Sequence, residues 1–91
     1  MLKITKRGNK AWVTFTAPAA ECEHVHLKGS WNDWKPEAMR RKKNGEFYLM
    51  KILPVDSSHE FGYVVDGAWL IETDLPKKPT PFGSENSVLE L

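Results

Sequence analysis

Long apolar runs are absent from this 91-residue chain. Nothing approaches the roughly 18 consecutive apolar residues that cross a bilayer, and no apolar stretch follows the basic residues Lys3, Lys6, Arg7 and Lys10 as a secretory leader would require. Cysteine is almost absent. Cys22 stands alone, so no intramolecular disulfide can form, which fits a reducing compartment. Excess charge is absent too: 13 Lys and Arg against 12 Asp and Glu leave +1, a balance that directs the protein to neither nucleic acid nor an anionic membrane. There is no glycine-rich phosphate loop, no nucleophile elbow and no amphipathic helical period. The expectation is a soluble, cytoplasmic protein without a cofactor. With Met1 at its start and no tag, the chain reads as a whole protein.

What is present is strand signal. In residues 11–16, Ala11, Val13 and Phe15 alternate with Trp12, Thr14 and Thr16. Ala17-Pro18-Ala19-Ala20 interrupts, and residues 22–28 alternate again, with Val25 and Leu27 on one face. Gly29 and Ser30 end that strand before the turn-rich cluster Trp31-Asn32-Asp33-Trp34-Lys35-Pro36. Asn44-Gly45 and Asp66-Gly67 each predict a type I′ hairpin turn, because both central residues need positive φ. Strands are predicted over residues 46–53, 61–65, 69–71 and 87–91. The prolines of 75–81 predict an extended surface loop with neither sheet nor helix. The result is an all-β fold, an immunoglobulin-like antiparallel β-sandwich of six to eight short strands. It forms one domain over 1–91, with 1–9 flexible or an edge strand.

The informative side chains are aromatic. Trp34 and Trp69 each follow turn formers, and an indole in a polar loop points to a ligand that covers it. Trp12 and Trp31 are assigned to core packing, Trp31 as a plug at the end of the core.

Three segments together resemble a known family. Leu27-Lys28-Gly29-Ser30-Trp31-Asn32-Asp33-Trp34 resembles the "G-[DS]-F-N-x-W" signature of glycogen-binding domains, the family 48 carbohydrate-binding modules or isoamylase N-terminal early-set domains. Phe61-Gly62-Tyr63-Val64-Val65-Asp66-Gly67-Ala68-Trp69 and Gly83-Ser84-Glu85-Asn86-Ser87-Val88-Leu89 follow the family's later motifs in the same order. The resemblance implies that Trp34 and Trp69 stack on glucose rings, that Asn86 bonds sugar hydroxyls, and that Phe82 touches the glucan. An indole face suits the apolar C–H face of glucose, and an amide offers two donors and an acceptor. The family often carries a sugar-contacting lysine where this chain has Gly62; Lys35 and Lys51 are the candidates to replace it. A second departure is Asp74-Leu75-Pro76 in place of the usual Asp-Pro.

Other signals carry less. Cys22, His24 and His26 sit at i, i+2, i+4, but no fourth ligand is evident, so no metal site is expected. The run Arg40-Arg41-Lys42-Lys43 reads as a solvated hairpin tip. Asp33, Asp66, Glu72 and Asp74 lack the deep setting that a glycosidase pair needs, so no catalytic residue is assigned.

The expected function is non-catalytic binding of α-1,4-glucan (glycogen, starch or maltooligosaccharide) on two tryptophans, by a monomer or weak homodimer. Relatives accompany glycogen-metabolising enzymes or target a kinase complex, so an enzyme partner is implied, and hydrolase-associated labels with it. The alternative is a protein–protein interaction module of the same fold that has lost sugar affinity, with Gly62 in its favour. A small glycoside hydrolase is the third reading.

Overall fold

In the computed structural model the described residues are 2–18 and 22–91, and among them the architecture is two antiparallel sheets packed face to face. The strands are β1 Leu2–Arg7, β2 Lys10–Thr16, β3 Val25–Gly29, β4 Glu37–Ala38, β5 Arg40–Arg41, β6 Phe47–Pro54, β7 Ser58–Val65, β8 Ala68–Leu70, β9 Lys77–Pro79 and β10 Glu85–Glu90. One sheet runs β1-β2-β6-β5. The other runs β4-β3-β7-β10-β9, with β8 also paired to β7. The predicted sandwich is therefore correct. The strand number exceeds six to eight because β4, β5, β8 and β9 are edge pieces of two or three residues. Residues 1–9 contribute an edge strand, β1, from Leu2.

The period-two alternation explains the layering. Ala11, Val13 and Phe15 point inward from β2 and are fully buried against Leu27, Phe61 and Tyr63 of the facing sheet. Phe15 and Phe61 meet edge to face with ring centroids 5.1 Å apart. Trp31 packs tilted on Phe15 at 5.3 Å and closes the end of the core, as expected. Its Nε1–H donates to Glu37 Oε2 at 3.2 Å.

Four expectations need correction. Trp12 is not a core residue: it alternates with Ala11 and Val13, so it lies half-buried on the outward face of its sheet. The Asn44-Gly45 loop is not a two-residue type I′ turn. Only Gly45 has positive φ (90°), and the Lys42 N–H donates to the Glu46 carbonyl at 2.7 Å, closing a longer loop. The segment 75–81 does hold a strand. Residues 77–79 pair with β10 at the sheet edge, where Pro79 loses no donor that a second neighbour would need. The strand predicted from Cys22 begins only at Val25, because the Asp66 carboxylate takes the N–H groups of Glu23 and His24, at 3.1 and 2.8 Å. Residues 19 and 20 of the predicted break lie outside the described residues. The Asp66-Gly67 turn is as predicted, with φ of 46° and 87° joining β7 to β8.

Candidate functional site

The outward face of the larger sheet carries a groove of about 550 Å³. Its lining includes Lys28, Trp34, Glu60, Trp69, Phe82 and Asn86.

Trp34 is delivered by a tight turn. A 3₁₀ turn at Ser30–Asn32 ends with Asp33 and Trp34 both in the left-handed region, φ 59° and 64°. The Trp34 N–H reaches back to the Gly29 carbonyl at 3.0 Å. A bulky side chain at positive φ costs about 1–2 kcal/mol, and such outliers concentrate at ligand sites. The turn, closed by that hydrogen bond, places the indole in the groove lining.

Trp69 comes from β8. Its neighbour across the hairpin is Val64, and its indole leans over Gly62. A Cβ built on Gly62 would stand 2.2 Å from Trp69 Cζ2, so only glycine lets the ring lie there. The Trp69 Nε1–H donates to the Glu85 carbonyl at 2.9 Å, fixing the ring's direction. The two indoles stand side by side, centroids 6.4 Å apart and planes inclined at 54°, each partly exposed.

The groove floor is a row across four strands. Register places Lys28 of β3 opposite Gly62 of β7, and Asn86 of β10 opposite Lys78 of β9. Asn86 is buried, and its Nδ2 donates to Glu60 Oε1 at 3.1 Å. The other Glu60 oxygen lies 3.6 Å from Lys78 Nζ, a contact largely open to solvent and weak for that reason. Among the described residues the Lys28 ammonium has no carboxylate partner.

Phe82 forms the rim and is 92% exposed. Its loop is well tied: the Thr80 N–H donates to the Ser84 carbonyl at 2.9 Å, the two hydroxyls lie 3.0 Å apart, and Gly83 takes φ 83°. An exposed phenyl on a braced loop offers an apolar surface at little ordering cost.

Of the side chains singled out from sequence, Trp34, Trp69, Phe82 and Asn86 share this groove. Lys35 is exposed and does not line it. Lys51 belongs to the other sheet and is engaged with Glu37 at 2.7 Å. Lys28, Glu60, Lys78, Thr80 and Ser84 line the groove without having been singled out. Lys28 carries no signal of its own in the sequence, where a lysine at an alternating strand position looks like solvated surface; only the register beside Gly62 marks it.

The carboxylates have structural duties. Asp66 caps two backbone N–H groups, and buried Glu72 accepts the Tyr63 hydroxyl at 2.8 Å while its N–H donates to Ser87 Oγ at 2.8 Å. Burial, followed by the Glu72 charge, pushes the Tyr63 phenol well above its ordinary range. Among the described residues no three His, Cys, Asp or Glu side chains are grouped to hold a metal.

A concave apolar strip with two inclined indoles, a buried amide and ammonium groups is suited to sugar rings and their hydroxyls. Residues 12–91 match the family described as the glycogen recognition site of AMP-activated protein kinase. The protein belongs to this family of glycogen-binding carbohydrate-binding modules.

Among curated proteins it is similar to the SNF1-related protein kinase regulatory subunit beta-2 of Arabidopsis thaliana, 29% identical over 69 residues, which are 76% of this chain and 24% of that one. It is also similar to Cruciform DNA-recognizing protein 1 of Saccharomyces cerevisiae (strain RM11-1a), 30% identical over 82 residues, covering 86% of this chain and 17% of that one. The chain thus spans a quarter or less of these relatives.

Proposed function

We propose that the protein binds α-1,4-glucan without transforming it, and that Trp34 and Trp69 form the platform. The observation that carries this reading is the pair of partly exposed indoles 6.4 Å apart above one groove. Their 54° inclination makes two facets, and a curved α-1,4 chain presents successive rings at an angle in the same way. Phe82 extends the apolar strip along the rim. Asn86 and Glu60, already bonded to each other, offer donors and acceptors for adjacent hydroxyls.

Lys28 takes the cationic role for which Lys35 and Lys51 were the earlier candidates. It is directly across the strand pair from Gly62, and its ammonium is not engaged by a carboxylate among the described residues. Glycine at position 62, where the family often has lysine, therefore does not argue for lost sugar affinity. The glycine seats Trp69, and a neighbouring strand supplies the charge.

Each stack contributes about 1–2 kcal/mol. After the ordering of a flexible glucan, the net is about −4 to −6 kcal/mol, a Kd from tens of micromolar to millimolar. The same proposal has the domain work beside a glycogen-metabolising enzyme or within a kinase complex, as the name of the Arabidopsis relative suggests for that protein. A reducing cytoplasmic setting belongs to it as well, since Cys22 is free and buried.

Titration with maltoheptaose, followed by intrinsic tryptophan fluorescence, tests the reading. A saturable change lost in both Trp34→Ala and Trp69→Ala supports it. No change up to about 10 mM, beyond the weak end of the affinity range, overturns it. Release of reducing sugar from glycogen would instead make the protein an enzyme.

A further inference from the structure

Charge is unevenly placed in the groove. The charged side chains that line it are Lys28, Glu60 and Lys78, which leaves one positive charge in surplus. Asp33, which precedes Trp34, and Glu85, whose carbonyl holds the Trp69 indole, do not line it.

Register orders these groups. Strand pairing sets Lys28, Gly62, Asn86 and Lys78 in one row across β3, β7, β10 and β9. A lysine stands at each end, three strand spacings or about 14 Å apart at the backbone. Between them lie the Trp69 indole, seated on Gly62, and the Asn86 amide. The Lys28 ammonium has no carboxylate partner among the described residues. The Lys78 side chain is 64% exposed and meets Glu60 only at 3.6 Å. The other Glu60 oxygen is occupied, since it accepts the Asn86 amide at 3.1 Å.

Sugar hydroxyls can bond an ammonium, but they cannot neutralise it. A lysine head is a compact point charge with three donors, which suits phosphate. The C6 hydroxyl of glucose projects from the ring, so a phosphate ester there stands clear of the stacking face.

We propose that the groove prefers α-1,4-glucan bearing phosphate monoesters, with two rings stacked on Trp34 and Trp69 and an ester on a flanking ring held by Lys28 or Lys78. This rests on the glucan reading and adds a ligand class to it. Because the polymer repeats, it can slide until an ester meets one end of the row. The Lys28 end is the stronger, because the Glu60 carboxylate stands beside Lys78 and opposes an anion there. Free phosphate is a poor ligand, since ammonium groups at opposite ends of the row do not chelate one anion. Nucleic acid carries a charge on every nucleotide and needs a run of cations, whereas the groove lining has two, with one carboxylate between.

Calorimetric titration with maltoheptaose, and with maltoheptaose carrying one phosphate on a C6 oxygen, tests the inference. In about 20 mM salt the phosphorylated ligand should bind about tenfold more tightly, the combined effect of exposed ion pairs. In about 500 mM salt the ratio should shrink to within about twofold, while the affinity for the neutral ligand holds. Lys28→Met should cut the low-salt ratio about threefold, Lys78→Met should cut it less, and the double variant should bring it to about one. Glu60→Gln keeps an acceptor for the Asn86 amide while removing the charge, and should raise the ratio about twofold. Lys35→Met, outside the groove, should leave it unchanged. Melting temperatures equal to the parent's show that the variants are folded. Equal affinity for the two ligands, or a ratio that survives the double lysine variant, would overturn the inference. So would glucose 6-phosphate binding as tightly as the phosphorylated heptasaccharide, or oligothymidylate binding more tightly. Binding of neutral maltoheptaose without preference for the ester sinks this inference alone; binding of neither ligand sinks the glucan reading with it.

Discussion

The Trp69 indole lies on the backbone of Gly62, with its Cζ2 2.2 Å from where a Cβ would be. A ring covering a strand glycine restores the apolar contact that the glycine lacks. It also sets the height and tilt of one half of the proposed glucan platform. A residue that looks in sequence like a missing sugar contact is thus the seat of a ring to which the glucan proposal assigns one.

Gly62→Ala is expected to dislodge that ring. Stability should fall by about 1–3 kcal/mol, the usual cost of forcing extra volume into a packed site, and maltoheptaose affinity should fall about tenfold. Urea unfolding and a titration by fluorescence check the two effects. Stability and affinity both equal to the parent's would mean that Trp69 does not depend on the glycine.

Lys28→Met should weaken maltoheptaose binding about three- to tenfold, the net value of one hydrogen bond of about 0.7–1.4 kcal/mol at a solvent-accessible groove, with no change in melting temperature. Lys28→Arg should retain most of the affinity. Lys35→Met should leave binding unchanged, because Lys35 does not line the groove. Calorimetric titration separates these outcomes.

Phe82→Ala should cost up to about 1–2 kcal/mol of binding if the ring lies on the glucan. The fold should be indifferent, since the side chain is 92% exposed and touches no core. Melting and titration measured together distinguish a ligand contact from a structural one.

Tyr63 and Glu72 make the buried polar contact that ties β7 to the segment after β8. Tyr63→Phe should destabilise by about 1–3 kcal/mol at neutral pH. The raised phenol pKa also has a sign. The folded state holds the proton more tightly than the unfolded chain, so this stabilisation is complete below about pH 10 and fades as pH rises further. Unfolding free energies measured across that range should decline in the parent, and less steeply in Tyr63→Phe.

Much of the fold is legible locally. Ala11, Val13 and Phe15 mark the core by alternation alone, and Asp66-Gly67 turns as its residues require. What failed depended on neighbours that local pattern does not show. Pro79 tolerates a strand because β9 is the edge of its sheet; Trp12, by contrast, is legible locally, since the alternation that turns Val13 and Phe15 inward turns it outward. Asn44-Gly45 looks like the best turn signal, yet the Asn44 side chain accepts the Glu46 N–H at 3.0 Å and a longer loop results. For the site, loop tryptophans stand out by type and context. Lys28 does not, since a lysine at an alternating strand position looks like solvated surface until register sets it beside Gly62.

The most direct test of the glucan platform reads the four indole N–H signals separately during a maltoheptaose titration by proton–nitrogen NMR. The signals of Trp34 and Trp69 should move and saturate together, while those of Trp31 in the core wall and Trp12 on the opposite sheet stay still. Movement of Trp12 alone, or no movement in any of the four, would contradict the account.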